Sequence, residues 1–94
     1  MKVTLGNAKG IDKDIELCWT TNERISDIAT TLLIHNQIPF TKNWIPIPFF
    51  FREKFHGAKQ ICIISTNPSR YSQARHAINQ MEPKYRRRLR LSNY

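Results

Sequence analysis

The hydrophobic positions along the chain form short runs and periodic stripes that predict strands and helices. Residues 15–20 form an apolar run long enough for a strand and too short for a helix. Residues 59–66 form a second run, which predicts a central strand buried on both faces or nearly so. Between them, residues 38–51 are aromatic and β-branched, but prolines remove ladder donors, so an edge strand with an irregular end is expected. Residues 52–57 are interpreted as a connecting loop.

Two segments carry apolar residues at helical spacing. In the first, apolar side chains recur between residues 25 and 33. Residues 20–23 before them fit a capping box in which Thr20 caps the helix, and Asn22 is the competing cap. The second begins at Asn67, which caps the helix and places Pro68 at the first helical position. Pro83 ends this second helix.

The C-terminal end has a pattern of its own. Tyr85, Leu89 and Leu91 share one parity, and Arg86, Arg88 and Arg90 share the other. This pattern suits a short final strand as well as a frayed basic tail. We therefore expect one domain over residues 1–83, followed by a basic strand or tail over residues 84–94.

The order strand, helix, strand, strand, helix and possible final strand predicts an α+β protein. This order consists of two strand-helix-strand halves. When each half has a right-handed crossover, the two make the ferredoxin-like split β-α-β sandwich, in which an antiparallel sheet carries two helices on one face. Residues 3–5 are a candidate for an extra strand that pairs with this sheet. A chain of 94 residues has room for one such core.

The pattern resembles a family of small bacterial domains described as prokaryotic signal-transducing proteins of unknown molecular function. The family pattern is a strand ending in a Thr-Asn turn, a helix, a strand start with Ile-Pro, and later a strand followed by a helix with an early Ala. The matching stretches are residues 19–22, 28–33, 38–40 and 61–77, within residues 15–81. Because these motifs mark turns and element starts, the resemblance implies the fold and a signalling context, and it transfers no functional residue.

The formal net charge of +8 comes entirely from the second half of the chain. Residues 1–47 contain five basic and five acidic residues, whereas residues 48–94 contain ten basic residues and only two acidic ones. Clustered lysine and arginine bind polyanions because they neutralise phosphates and release counterions. The candidates for polyanion binding are Lys84, Arg86, Arg87, Arg88 and Arg90, with Arg70 and Arg75 on the second helix.

The aromatic residues argue both for and against a nucleic-acid partner. RNA-recognition versions of this fold carry aromatic residues on both central strands, and residues 59–66 contain none. Only Trp19, on the first strand, is placed to stack on a base. Nucleic-acid binding is therefore the alternative function.

The most unusual stretch is the aromatic and proline-rich segment over residues 44–51. Three successive phenylalanines cannot all enter one core from a strand, because alternate side chains leave opposite faces. A homodimer or a protein partner would cover such an apolar surface. Alternatively, the prolines break the strand and fold the phenylalanines under a loop. The interface candidates are Trp44, Phe49, Phe50 and Phe51.

Residue patterns for catalysis, cofactor binding or metal binding are missing from the sequence. The three histidines have no metal-ligand spacing, and the serines lack a nucleophile motif. Cys18 and Cys62 are predicted on neighbouring central strands, where they could form a redox pair. Their apolar flanks favour simple packing and would raise a thiol pKa.

The sequence therefore predicts no catalytic, cofactor or metal site, and not an enzyme. It also contains neither a signal-peptide core nor an apolar run long enough to span a membrane, so we expect a cytoplasmic protein without a membrane partner. The predicted function is a small non-catalytic regulatory or protein-interaction module that forms a homodimer.

Overall fold

The computed structural model describes residues 2–5 and 14–92. The strands are β1 (Lys2–Leu5), β2 (Ile15–Thr20), β3 (Phe40–Pro46), β4 (Gln60–Thr66) and β5 (Arg90–Leu91). The helices are α1 (Glu23–His35), α2 (Tyr71–Asn79) and the short α3 (Pro83–Arg86). Two 3-10 helices complete the order: the aromatic 3-10 helix (Phe49–Phe55) between β3 and β4, and a single turn (Pro68–Arg70) before α2.

The strands form one antiparallel sheet in the order β1-β3-β4-β2-β5. Helix α1 connects β2 to β3, and α2 with α3 connects β4 to β5. Helices α1 and α2 contact each other, and both contact β2. The protein is therefore an α+β protein with helices packed on an antiparallel sheet, as predicted.

Side chains on β4 alternate between the helix-covered face of the sheet and the opposite face. Cys62, Ile64 and Thr66 are buried under the helices, whereas Ile61 and Ile63 are only partly buried. The prediction that this strand is central is confirmed, and of the two faces that were expected to be buried or nearly so, one is buried and the other is partly buried. In the part of the chain that is described, α1 and α2 lie on the same face of the sheet, since they contact each other.

A bulge in β2 explains how two neighbouring residues both enter the core. The register with β4 shifts between Glu16 and Cys18, so that Leu17 is an extra residue in its strand. Leu17 and Cys18 are both fully buried. After the bulge, normal alternation returns, and Trp19 points to the face opposite Cys18.

The third strand differs from its prediction in its position in the sheet and in how it ends. β3 is not an edge strand, because β1 pairs with it on the side away from β4. It also ends at Pro46, and the chain then turns into the aromatic 3-10 helix, although residues 49–51 were expected in the irregular end of the strand and residues 52–57 in a loop. Pro46 and Pro48 donate no backbone hydrogen bonds, and the Phe51 amide instead donates to the Pro48 carbonyl at 2.9 Å.

The segment after Pro83 contains a helical turn and a two-residue strand. Leu89 is only 2% exposed and belongs to the hydrophobic core. β5 pairs with β2 so that Leu91 lies opposite Cys18 and Arg90 opposite Trp19. Over residues 89–91 the two leucines contact the core and Arg90 is exposed to solvent.

Candidate polyanion-binding site

Three parts of the chain meet where β2 ends. They are the end of β2 with the turn before α1, the end of the aromatic 3-10 helix, and the segment between α3 and β5. They enclose an open groove of about 510 Å³, which we call the Trp19 groove. Its aromatic and basic lining residues are Trp19, Lys54, Phe55, His56, Arg87, Arg88 and Arg90.

Trp19 lies on the sheet face opposite the helices. Its cross-strand neighbours are Ile63 on β4 and Arg90 on β5, and residues opposite each other in antiparallel strands share a face. Phe55 reaches Trp19 from the 3-10 helix, with ring centroids 5.7 Å apart and ring planes inclined at 72°. Both rings are partly exposed, so the groove offers aromatic surface to a ligand.

The cations of the groove are not neutralised by neighbouring carboxylates. Among the described residues there are two ion pairs, Lys42 with Asp27 at 2.9 Å and Lys84 with Glu82 at 3.8 Å, and neither is in this groove. Within the same residues, the guanidinium groups of Arg87, Arg88 and Arg90 have neither an acidic partner nor a side-chain hydrogen bond, and all three side chains are exposed. The groove therefore has a positive potential available to an anion.

The backbone beneath these arginines is fixed. The buried hydroxyl of Thr20 donates to the carbonyl of Arg88 at 2.9 Å and accepts from the amide of Asn22 at 3.1 Å. The amide of Ser92 donates to the carbonyl of Leu17 at 2.9 Å. These bonds attach the basic segment to β2, so that flexible arginine side chains extend from a fixed backbone.

Three of the predicted arginines lie outside the groove and bind local acceptors. Arg86 donates to Asn79 and to the carbonyl of Leu89, which holds the turn after α3. Arg70 donates to Gln73 and to the carbonyl of Gln37.

Arg75 lies on α2 and donates to the carbonyl of Ser92 at 3.0 Å. Arg70 and Arg75 therefore do not extend the Trp19 groove, because their guanidinium groups hold α2 to neighbouring segments. Lys84 lies in an adjoining groove, with its ammonium 5.0 Å from the ring centroid of Tyr85.

Sequence reasoning missed the contribution of the 3-10 helix. Lys54, Phe55 and His56 line the groove, although their stretch was interpreted as a connecting loop. The basic and aromatic character of these three residues was the one available signal. Their position beside Trp19 depends on how the chain returns from β3 to β4, which no local pattern specifies.

The predicted interface residues separate into two groups. Trp44 packs against the core, opposite Cys62 on the helix-covered face. Phe49, Phe50 and Phe51 are 77%, 66% and 42% exposed on the aromatic 3-10 helix, and adjacent rings contact one another at centroid distances of 5.5 and 4.7 Å. The phenylalanines are thus neither in a strand nor folded under a loop.

The two cysteines are packing residues on the helix-covered face. Cys18 lies opposite Ile64 and Cys62 lies opposite Thr20, so the thiols are diagonal neighbours in the sheet and are not paired directly. Both are fully buried and free. Burial raises the pKa of each thiol, and the proximity of Cys62 raises that of Cys18 further. Such thiols are poor nucleophiles and poor metal ligands.

Metal-ligand clusters and membrane-spanning helices are both absent from the residues that the structure describes. These residues contain no cluster of three or more histidine, cysteine, aspartate or glutamate residues able to hold a metal ion. None of their helices has the length and apolar character needed to cross a membrane.

Comparison with known proteins identifies no relative. No protein-family model, curated protein or solved structure matches the chain. The function must therefore be argued from the site.

Proposed function

We propose that this protein binds single-stranded nucleic acid in the Trp19 groove. The observation that carries the proposal is the position of Trp19 beside Arg90 on the sheet face opposite α1 and α2, with Phe55 and the exposed Arg88 lining the same groove. Stacking platforms combined with cations that follow the phosphate backbone are the general means of binding single strands.

The aromatic rings favour a single strand over a duplex. A base stacks on a protein ring only when it has left its own stack, which unpaired bases do at little cost. Phosphates attached to that base would meet Arg87, Arg88 and Arg90, whose guanidinium groups are not engaged by other described residues. Apart from its cations, the polar residues that line the groove are Thr21, Asn22 and His56, so few groups are placed to read base edges and we expect little sequence specificity.

We also infer that the fold is the ferredoxin-like split β-α-β sandwich. Without β1, the strand order is β5-β2-β4-β3, with the two central strands each followed by a helix. This order supports the inference, because that sandwich places its first and third strands at the centre. The resemblance to bacterial signal-transducing domains, a cytoplasmic location and the lack of enzymatic activity all stay predictions.

The proposal is tested by fluorescence anisotropy with a labelled oligothymidine and a labelled oligouridine of about 16 nucleotides. We expect binding at low salt that weakens steeply as salt is raised. The slope of log affinity against log salt should fall by about 0.7 for each phosphate contact removed, as in Arg88→Gln and Arg90→Gln.

The matched control is Lys59→Gln, which removes one positive charge from an exposed side chain outside the groove. It should leave the salt slope unchanged. Wild-type protein that binds neither oligonucleotide at about 50 mM salt would overturn the proposal.

We propose a second function, self-association through the aromatic 3-10 helix. The supporting observation is the exposure of Phe49, Phe50 and Phe51 on successive positions. A second copy fits this surface because Glu53 and Lys54 are both exposed beside it, so a two-fold arrangement can pair opposite charges around the rings.

Light scattering across low to high micromolar concentration tests the second function. We expect a concentration-dependent dimer that Phe50→Ser abolishes. Ile34→Ser is the matched control, because Ile34 is a similarly exposed apolar residue on α1. A wild-type monomer at every concentration contradicts self-association.

A further inference from the structure

A second groove adjoins the Trp19 groove at the start of α1. We call it the Tyr85 groove, and it has a volume of about 540 Å³. Its lining includes Arg24, Lys84 and Tyr85. Asn22, Arg87 and Arg88 line both grooves, so the two grooves are direct neighbours that share part of their lining.

The aromatic ring of Tyr85 lies close to two cations. Its side chain is partly buried and packs against the core. The guanidinium carbon of Arg24 lies 5.9 Å from the ring centroid, and the ammonium of Lys84 lies 5.0 Å from it. Both distances are within the range of cation–π attraction, which holds the cations close to the ring.

The charge balance of the Tyr85 groove is also positive. Arg24, Lys84, Arg87 and Arg88 line it, and its lining residues include no carboxylate. Lys84 pairs with Glu82 at 3.8 Å, but both side chains are more than half exposed, so solvent weakens this pair. The groove thus repeats the combination of aromatic surface and available cations found around Trp19.

We propose that the Tyr85 groove is a second subsite of the same site. One single strand of nucleic acid places a base against Trp19, passes its phosphates over Arg87 and Arg88, and places a later base against Tyr85. Arg87 and Arg88 belong to both grooves and are exposed. This inference rests on the proposed function, which it extends from one groove to a continuous path.

A continuous path predicts a dependence on ligand length. An oligonucleotide of about 4 nucleotides should fill one groove, whereas one of about 8 or 16 nucleotides should reach both. Wild-type affinity should therefore rise over this series by more than the statistical gain from extra binding positions.

The test measures this length series by anisotropy for wild type, Tyr85→Leu and Tyr85→Phe. Tyr85→Leu should weaken binding of the longer oligonucleotides by roughly fivefold to a hundredfold and remove the rise with length. Tyr85→Phe keeps the ring and should bind as wild type does.

Folding of each variant is checked by circular dichroism. If Tyr85→Leu does not fold, the doubly substituted Arg24→Gln, Lys84→Gln protein replaces it, because both of these side chains are exposed. That variant should lose the same length dependence, whereas Lys59→Gln should keep it.

The outcomes separate the two proposals. If no oligonucleotide binds to wild type at low salt, both are overturned. If wild type binds and Trp19→Leu weakens that binding, but Tyr85→Leu changes nothing at any length, the second subsite is overturned and the proposed function stands.

Discussion

Phe55 contacts Trp19 in an edge-to-face arrangement, with ring centroids 5.7 Å apart. Trp19 lies near the end of β2, and Phe55 is the last residue of the aromatic 3-10 helix. This contact holds the end of that helix against the sheet face that the helices leave uncovered. It also brings Lys54 and His56 to the same groove as the exposed arginines of the C-terminal segment.

Substitution of the two tryptophans should have opposite effects on the fluorescence quenching caused by a bound oligonucleotide. Trp19 lines the groove, whereas Trp44 packs against the core on the other face. Oligothymidine should quench tryptophan fluorescence in wild type and in Trp44→Leu, and should not quench it in Trp19→Leu. The affinity of Trp19→Leu should fall by roughly fivefold to a hundredfold, because one base loses its stacking partner. Quenching that disappears in Trp44→Leu and persists in Trp19→Leu would contradict the site.

Leu89 should make the basic segment essential for stability. It is 2% exposed in the core, so Leu89→Ala should lower the free energy of unfolding by about 2–5 kcal/mol. Urea denaturation measures this loss. Ile34→Ala, at a position 51% exposed on α1, should change stability by less than about 0.5 kcal/mol. Equal effects of the two substitutions would show that Leu89 is not a core residue.

The same burial affects any truncation of this end. Deleting residues 84–94 removes Leu89 and β5 together, so the shortened chain should be unfolded or strongly destabilised by circular dichroism. Charge substitutions such as Arg88→Gln are therefore the sound test of binding. A truncated chain with the wild-type melting temperature would contradict this account.

The buried thiols predict a loss of stability at alkaline pH. The ordinary pKa of a thiol is about 9.0, and burial raises the pKa of both Cys18 and Cys62 in the folded protein. Above pH 9 the unfolded chain therefore binds fewer protons than the folded one, and the free energy of unfolding falls as pH rises. A thiol that is ionised in the unfolded chain and protonated in the folded protein lowers the free energy of unfolding by about 1.4 kcal/mol per pH unit.

Urea denaturation between pH 7 and pH 10 measures this slope. The Cys18→Ala, Cys62→Ala double variant should show a smaller slope than wild type over the alkaline part of the range. In wild type at pH 8, a thiol reagent should react only after denaturant is added. Rapid labelling of the native protein would contradict the raised thiol pKa values.

Two substitutions at Asn22 test the stability of α1 and the charge of the grooves independently. Its side-chain oxygen accepts from the amide of Ile25 at 3.1 Å, so Asn22→Ala should cost about 1 kcal/mol of folding stability. Asn22→Asp keeps the cap and should keep the stability. It adds a carboxylate to both grooves, so it should weaken oligonucleotide binding at low salt. Unchanged binding by Asn22→Asp would contradict the placement of a polyanion here.

Local patterns were sufficient for most elements of secondary structure. The stripe from Ile25 to Leu33 and the capping residues before it predicted α1, because helical periodicity and capping depend on neighbouring residues alone. Of the two predicted caps, Asn22 and not Thr20 is the one that forms. The Asn67 cap is present too, although it begins a 3-10 turn before α2. By contrast, the apolar run of β4 could not show that only one face is buried, since that depends on where the helices pack.

The candidate site shows the same division. The sequence by itself determined that the positive charge lies in the second half and that Trp19 is an aromatic residue on a central strand. Tertiary structure decided which cations act together. Arg86, Arg70 and Arg75 bind local acceptors, while Arg88 and Arg90 join Lys54 and Phe55 from a distant segment. The physical reason is that composition and periodicity are properties of neighbours along the chain, whereas a groove forms between segments that only the sheet order and core packing bring together.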